Sequence, residues 1–255
     1  ASVGKCNFQN RLMQTFEHVE LCMGTGFRFQ GRYNDANFNS AIADACEILR
    51  EADRIFSLYK PESPLSQLAA GNTSVAQCPP VVSEIWDECE RWEKVTDGWF
   101  SPFTAEHTFD PSGLVKTWAA KRAAECLVAH GIKDFTLNAG GDIWLSDELT
   151  SDTDWKVGIS KPVSIADQDA GVLAVLNLRG TEYRAVCTSG SAERGNHIWH
   201  TTEHELVQVT VIANDLVTAD VWATAAFAEG PRCIERFEKL EGVDVLVIYS
   251  DGRID

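Results

Sequence analysis

Apolar residues recur at three and four positions before residue 131 and mostly alternate in twos after residue 134, and this division limits the fold more than any other feature. Phe38, Ile42, Ala45, Ile48, Leu49, Ala52 and Ile55 mark an amphipathic helix over residues 36–57. A second helix runs over 81–96 and stops at Asp97 and Gly98. Asp110 before Pro111 opens a third, whose apolar stripe through Val115, Trp118, Ala119, Ala123, Cys126 and Leu127 ends at Gly131. Strand patterns then follow at 135–145, with a break at Gly140 and Gly141, and at 155–162, 171–178, 184–191, 206–212 and 243–249. Residues 188–191 look like a hydroxyl-rich turn. One strand pair comes early, over 18–32, interrupted at Met23, Gly24 and Thr25. Two helices come late: an alanine-rich one capped by Thr218 and closed by Gly230 and Pro231, and one over 231–240. The pattern predicts an α+β fold, a mixed or antiparallel sheet with flanking helices. No boundary is visible, so residues 1–255 are expected to form one domain, two intimately packed subdomains being the alternative.

A net charge of -16 opposes nucleic acid and anionic membrane as partners, so any phosphate-bearing ligand must be held by local cations. No apolar run approaches the roughly 18–20 residues that span a bilayer. The first residues lack the apolar core of a signal peptide. The eight cysteines are scattered without a C-x-x-C pair, which favours free thiols. A cytoplasmic location is the expectation, with export of a processed form left open.

The late helix carries Asp220 and Thr224, four apart and so on one face, near the first turn if Thr218 is the cap. Two hard oxygens on one wall suit magnesium. On this pair alone, the better reading is an acid complementing the helix N-terminus and a hydroxyl bonding back to a carbonyl. Asp110 and Lys116, in the opening turns of the third helix, offer a place for a diphosphate, or equally a cap and a solvated lysine. Gly24 permits close approach of a ligand or marks an ordinary bulge. The aromatic segment 99–104 either packs inward or lines a flat ligand. His197, His200 and His204 invite zinc, but 197 and 200 face opposite sides of a strand, so core or surface histidines fit them better. There is no Rossmann glycine pattern, no Walker loop and no G-x-S-x-G elbow.

Taken in order, these pieces resemble the ApbE family of FAD:protein FMN transferases. The resemblance rests on Met23 to Thr25, Ser57 to Tyr59 with Ser63, Thr96 to Gly98 with Phe100, Asp110 to Lys116, Asn138 to Gly141, Trp155 to Pro162, Thr188 to Ser191, His197 with Ile198, and Ala219 to Ala225. It implies a magnesium-dependent enzyme that splits FAD, passes FMN to a threonine hydroxyl of an acceptor flavoprotein and releases AMP. It further implies that Asp220 and Thr224 hold magnesium, helped by the carbonyls of Gly113 and Ala223. Asp110 and Lys116 would contact FAD, Met23 would pack on it, and Ser57, Leu58 and Tyr59 would line its pocket. His197 would be the general base. Three departures from the family pattern stand out: Thr117 where the family has glycine, His200 where its histidine run has an acid, and Phe100-Ser-Pro-Phe-Thr104 in place of Phe-Asp-Pro-Thr. Rival readings are an FAD pyrophosphatase giving FMN and AMP, an inactive FAD-binding or storage protein and, more remotely, a zinc hydrolase.

Overall fold

The structure, a computed structural model, describes residues 13–34, 37–104, 107–162, 171–190 and 206–255. Strands β1 (Gln14–Cys22) and β2 (Thr25–Tyr33) form a hairpin. Its two-residue turn puts Met23 at φ 51° and Gly24 at φ 70°, the left-handed pair that matches the twist of the flanking strands. The early break in the sequence is thus a tight turn, not a bulge. Strands β3 (Asp134–Ala139) and β4 (Asp142–Leu145) form a second hairpin around Gly140 and Gly141. A Cβ on Gly140 would fall 2.3 Å from Thr25 Oγ1, so glycine there lets the two hairpin ends lie side by side.

Among the described residues, strands β5 (Lys156–Ser160) and β6 (Val172–Asn177) pair only with each other. Strands β7 (Ala185–Gly190), β8 (Leu206–Ala213) and β9 (Val243–Tyr249) complete the main sheet. Its seven strands run in the order β1-β2-β3-β4-β7-β8-β9, and every pairing is antiparallel. Residues 188–190 belong to β7 and not to a turn, with Thr188 Oγ1 hydrogen-bonded at 2.9 Å to Thr210 Oγ1 on β8.

Helices α1 (Phe38–Phe56), α3 (Pro80–Val95), α4 (Ser112–Ala129) and α5 (Leu216–Glu229) build the main core on one face of this sheet. Phe135, Leu137 and Ala139 of β3 point into that core, alternating with less buried neighbours as period two requires. The opposite face carries a smaller core in which Trp155, Val157 and Ile159 meet Leu145, Val186 and Ile212. After α1, a segment with prolines at 61 and 64 contains a short helix, α2 (Pro64–Ala69), which begins on the second of them. Ser63 caps it by accepting from the Ser66 N–H at 3.0 Å. A last short helix is α6 (Cys233–Phe237).

The cap of α5 is Asp215, not Thr218. Its Oδ1 accepts from the Thr218 N–H at 2.9 Å and the Thr218 hydroxyl at 3.0 Å, while Oδ2 takes the Lys121 ammonium at 2.5 Å. Burial pushes the Asp215 carboxyl up, but Lys121 and Thr218 together outweigh it and hold the group below its ordinary value of 3.8. A depressed carboxyl contributes stability in full above its unfolded value and loses it as pH falls through the folded value. Asp215→Ala is therefore expected to cost about 1 kcal/mol in urea unfolding at neutral pH. The gap to wild type should close as the pH drops below 3.8, and a gap that persists in acid would mean the carboxylate is not the source of the stability.

Candidate active site between two helix ends and a sheet

Moving the cap to Asp215 places Asp220 in the second turn of α5, away from the exposed N–H groups, so the helix-terminus role expected from sequence does not describe it. Asp220 is buried and its Oδ2 accepts from the Thr117 hydroxyl at 2.7 Å. Thr117 lies on α4, 103 positions away in the chain. One turn along α5, the Thr224 hydroxyl faces the Ser189 hydroxyl of β7 at 3.4 Å. Gly113 is one turn before Thr117 on α4, held close under Phe100, since a Cβ there would sit 3.2 Å from that ring. Ala223 is fully buried between Asp220 and Thr224.

The second half of the site starts from Lys116. Its ammonium pairs with Asp142 Oδ2, and the two side chains are only 13% and 3% exposed. The solvated lysine expected as one alternative is in fact an internal cation. Asp142 Oδ1 accepts from the Thr188 N–H at 3.2 Å, tying β4 to β7 where the Gly140 turn ends. Cys187 lies beneath both acids, and its thiol is pushed far up, first by burial and then by the charges of Asp142 and Asp220. Lys116 and Thr117 are neighbours on α4, and Thr188 and Ser189 on β7, which brings the two carboxylates to one end of the sheet.

Asp110 sits at the entrance to α4, its Oδ1 accepting from the Ser112 N–H at 3.0 Å. This is an Asx turn that occupies the first N–H of α4, while the N-cap position itself falls to Pro111. The remaining carboxylate oxygen leaves room for a ligand contact as well. Met23, at the tip of the first hairpin, packs against the core with the left-handed backbone that a methionine rarely adopts. The segment after α1 is strapped by the Ser57 carbonyl, which accepts from the hydroxyls of Ser63 and Ser66. Leu58 packs inward, whereas Tyr59 is 98% exposed and projects into solvent. Cys22, adjoining Met23, has its thiol raised to about 11 by burial and by Asp53 of α1, so the end of α1 and the hairpin tip are neighbours.

The aromatic segment after α3 packs inward. Phe100 is 3% exposed, and Phe103 lies edge-on to Trp86 at 5.4 Å. His197, His200 and His204 lie outside the described residues. Asp142 escaped sequence reading, although an acid directly after a double glycine turn was a usable signal. Thr117 stands in the sequence only as a departure from the family pattern, and its contact with Asp220 depends on how α4 and α5 pack.

The arrangement offers hard oxygen donors from Asp220 and Thr224 beside an internal lysine, which is chemistry suited to a divalent cation and a phosphate-bearing ligand. The sequence model of the ApbE family matches residues 104–247. A FAD:protein FMN transferase of Escherichia coli is 29% identical over 156 residues, which cover 56% of this chain and 43% of that protein. One from Haemophilus influenzae is 24% identical over 152 residues, covering 56% and 44%. The chain thus aligns with under half the length of these relatives. Among solved structures, the flavin transferase ApbE from Vibrio cholerae superposes with a TM-score of 0.74 at 19% identity, covering 96% of each chain. The ApbE protein from Thermotoga maritima gives 0.75 at 19% identity, covering 95% of this chain and 96% of that one. With the family model spanning more than half its residues, this chain belongs to the ApbE family.

Proposed function

We propose that this chain is a magnesium-dependent FAD:protein FMN transferase, which cleaves FAD and attaches FMN to a threonine of an acceptor flavoprotein with release of AMP. The observation that carries the reading is the convergence of the Thr117–Asp220 bond, the Thr224–Ser189 pair and the Lys116–Asp142 ion pair at one end of the sheet. The similarity to named FMN transferases supports it.

The donor set fits magnesium: a buried carboxylate and a hydroxyl on adjacent turns of α5, with the Gly113 and Ala223 carbonyls as proposed further oxygens. Bound there, the ion would neutralise the charge of the FAD diphosphate. Lys116 supplies a fixed positive charge next to that position, the N–H groups at the start of α4 orient the phosphates, and Asp110 accepts from a hydroxyl or N–H group elsewhere on FAD. Met23, Leu58 and Tyr59 provide the apolar and aromatic surface for the flavin. The acceptor hydroxyl forms a new O–P bond to the FMN phosphorus as the P–O bond to the AMP portion breaks. The proton lost by the hydroxyl passes to His197, and AMP leaves with the bridging oxygen. The test incubates the protein with FAD, magnesium and a small flavoprotein domain bearing a threonine acceptor, following AMP and covalent flavin together. Acceptor-dependent appearance of both supports the reading. AMP without covalent flavin would replace it with hydrolysis, and FAD binding without AMP would replace it with storage.

Thr117 acts by fixing the rotamer of Asp220, the carboxylate proposed to hold the ion. Thr117→Val is expected to weaken magnesium affinity about 10–100-fold, as loss of a hydrogen bond that orients a ligand does. Thr117→Ser should restore it, and isothermal titration with magnesium reads both. Equal affinity in valine and serine variants would show that the hydroxyl orients nothing.

A further inference from the structure

Far from the Asp220 end of the site, on the edge hairpin, three side chains with no part in the proposed transfer point at one another. His18 and Glu20 alternate on β1 and so face the same side, toward α1, where Cys46 lies in the buried stripe of the helix. His18 Nε2 is 3.2 Å from Cys46 Sγ and 3.9 Å from Glu20 Oε2, and all three atoms lie within 4.8 Å of one another. Three ligands on a tetrahedral zinc ion, with Zn–S near 2.3 Å and Zn–N and Zn–O near 2.0–2.2 Å, would be separated by roughly 3.3–3.7 Å. The two measured separations need to change by about half an ångström to match that geometry, and the third, between Cys46 Sγ and the Glu20 carboxylate, by at most about 1.2 Å.

We propose that His18, Glu20 and Cys46 form a second metal site, for zinc or another thiolate-preferring divalent ion, that clamps the β1–β2 hairpin to α1. The donors set the class: a thiolate and an imidazole with one carboxylate favour zinc, whereas the all-oxygen set at Asp220 and Thr224 favours magnesium. Binding releases the Cys46 thiol proton to solvent and uses neutral His18 with its proton on Nδ1. Glu20 is held by Arg50 through both oxygens, at 2.9 and 2.7 Å. A carboxylate has about four lone-pair positions and Arg50 takes two, so the guanidinium can orient the ligating acid from outside the coordination shell. Arg50 is also half-exposed and can swing clear. A fourth coordination position remains for water, on the side where β1 is open to solvent.

Cobalt(II) reports on such a site, because a thiolate ligand gives a near-ultraviolet charge-transfer band and four-coordinate geometry gives intense visible bands. Titrating cobalt chloride into the metal-stripped full chain is expected to produce both with a stoichiometry of one. Zinc should displace the ion and excess magnesium should not. Cys46→Ser should lose the charge-transfer band, and Asp220→Asn should keep it. His18→Ala lies on the less buried side of the cluster and leaves Cys46 in place. It should weaken cobalt binding more than about tenfold with an unchanged far-ultraviolet spectrum. Zinc should raise the melting temperature of wild type and not of His18→Ala. Absence of the charge-transfer band in wild type, or its persistence in both the His18 and Cys46 variants, would overturn the proposal.

Discussion

Asp220→Asn is expected to lower magnesium-dependent AMP release from FAD at least ~100-fold, the scale on which removing one preorganised electrostatic contact slows an enzyme. Asparagine keeps the size of the side chain and an oxygen that accepts from Thr117, so the packing between α4 and α5 survives. What it removes is the charge. A neutral amide oxygen is a weaker magnesium ligand than a carboxylate, and the loss should be partly recovered at high magnesium if affinity is what fails. The thermal midpoint of the metal-free protein should hold, because the amide keeps both the volume of the side chain and the bond from Thr117. The pair of readouts separates a metal ligand from a structural acid. Activity falling together with metal-free stability would assign Asp220 to the scaffold, and activity unchanged would remove it from the metal site.

The fold was largely legible because its periodicities are plain. α1 buries Ile42, Ala45, Leu49, Ala52 and Ile55 along one stripe, and those positions carry the helical spacing in the sequence. Where legibility failed, the cause was tertiary. α4 lies between α1 and α5, so its flanks are covered on both sides, and Lys116 is drawn into an internal ion pair where an amphipathic reading leaves a lysine in water. Asp215 and Thr218 are both good N-cap residues three positions apart. The choice falls to Asp215 because β8 runs to Ala213 and leaves only Asn214 between the strand and the cap. The i, i+4 placement of Asp220 and Thr224 is local and survived intact, with only their depth in the helix revised. The Thr117 and Asp142 partners are set by contacts over tens to a hundred positions and leave almost no local trace.

Lys116→Met is expected to be the most destabilising single change in the site. Asp142 is 3% exposed on its side chain, and losing its cation leaves a buried carboxylate with the Thr188 N–H and the neutral Cys187 beneath. Breaking a buried pair by removing one partner costs about 3–5 kcal/mol. For a chain of this size that is a drop in melting temperature of roughly 6–20 °C. Asp142→Asn should cost less, since the amide oxygen still accepts from Thr188 and the long lysine stem lets the ammonium reach toward water. Combining the two removes both charges from the interior. The Lys116→Met, Asp142→Asn double variant should therefore regain most of the loss, with a coupling of about 2 kcal/mol or more in a urea double-mutant cycle. Additive losses would mean that the two groups are stabilised by other contacts and that the ion pair does not join α4 to the sheet. Activity should stay low in the double variant even where stability returns, because the cation proposed to face the diphosphate is gone. That split distinguishes what Lys116 does for the fold from what it does for FAD.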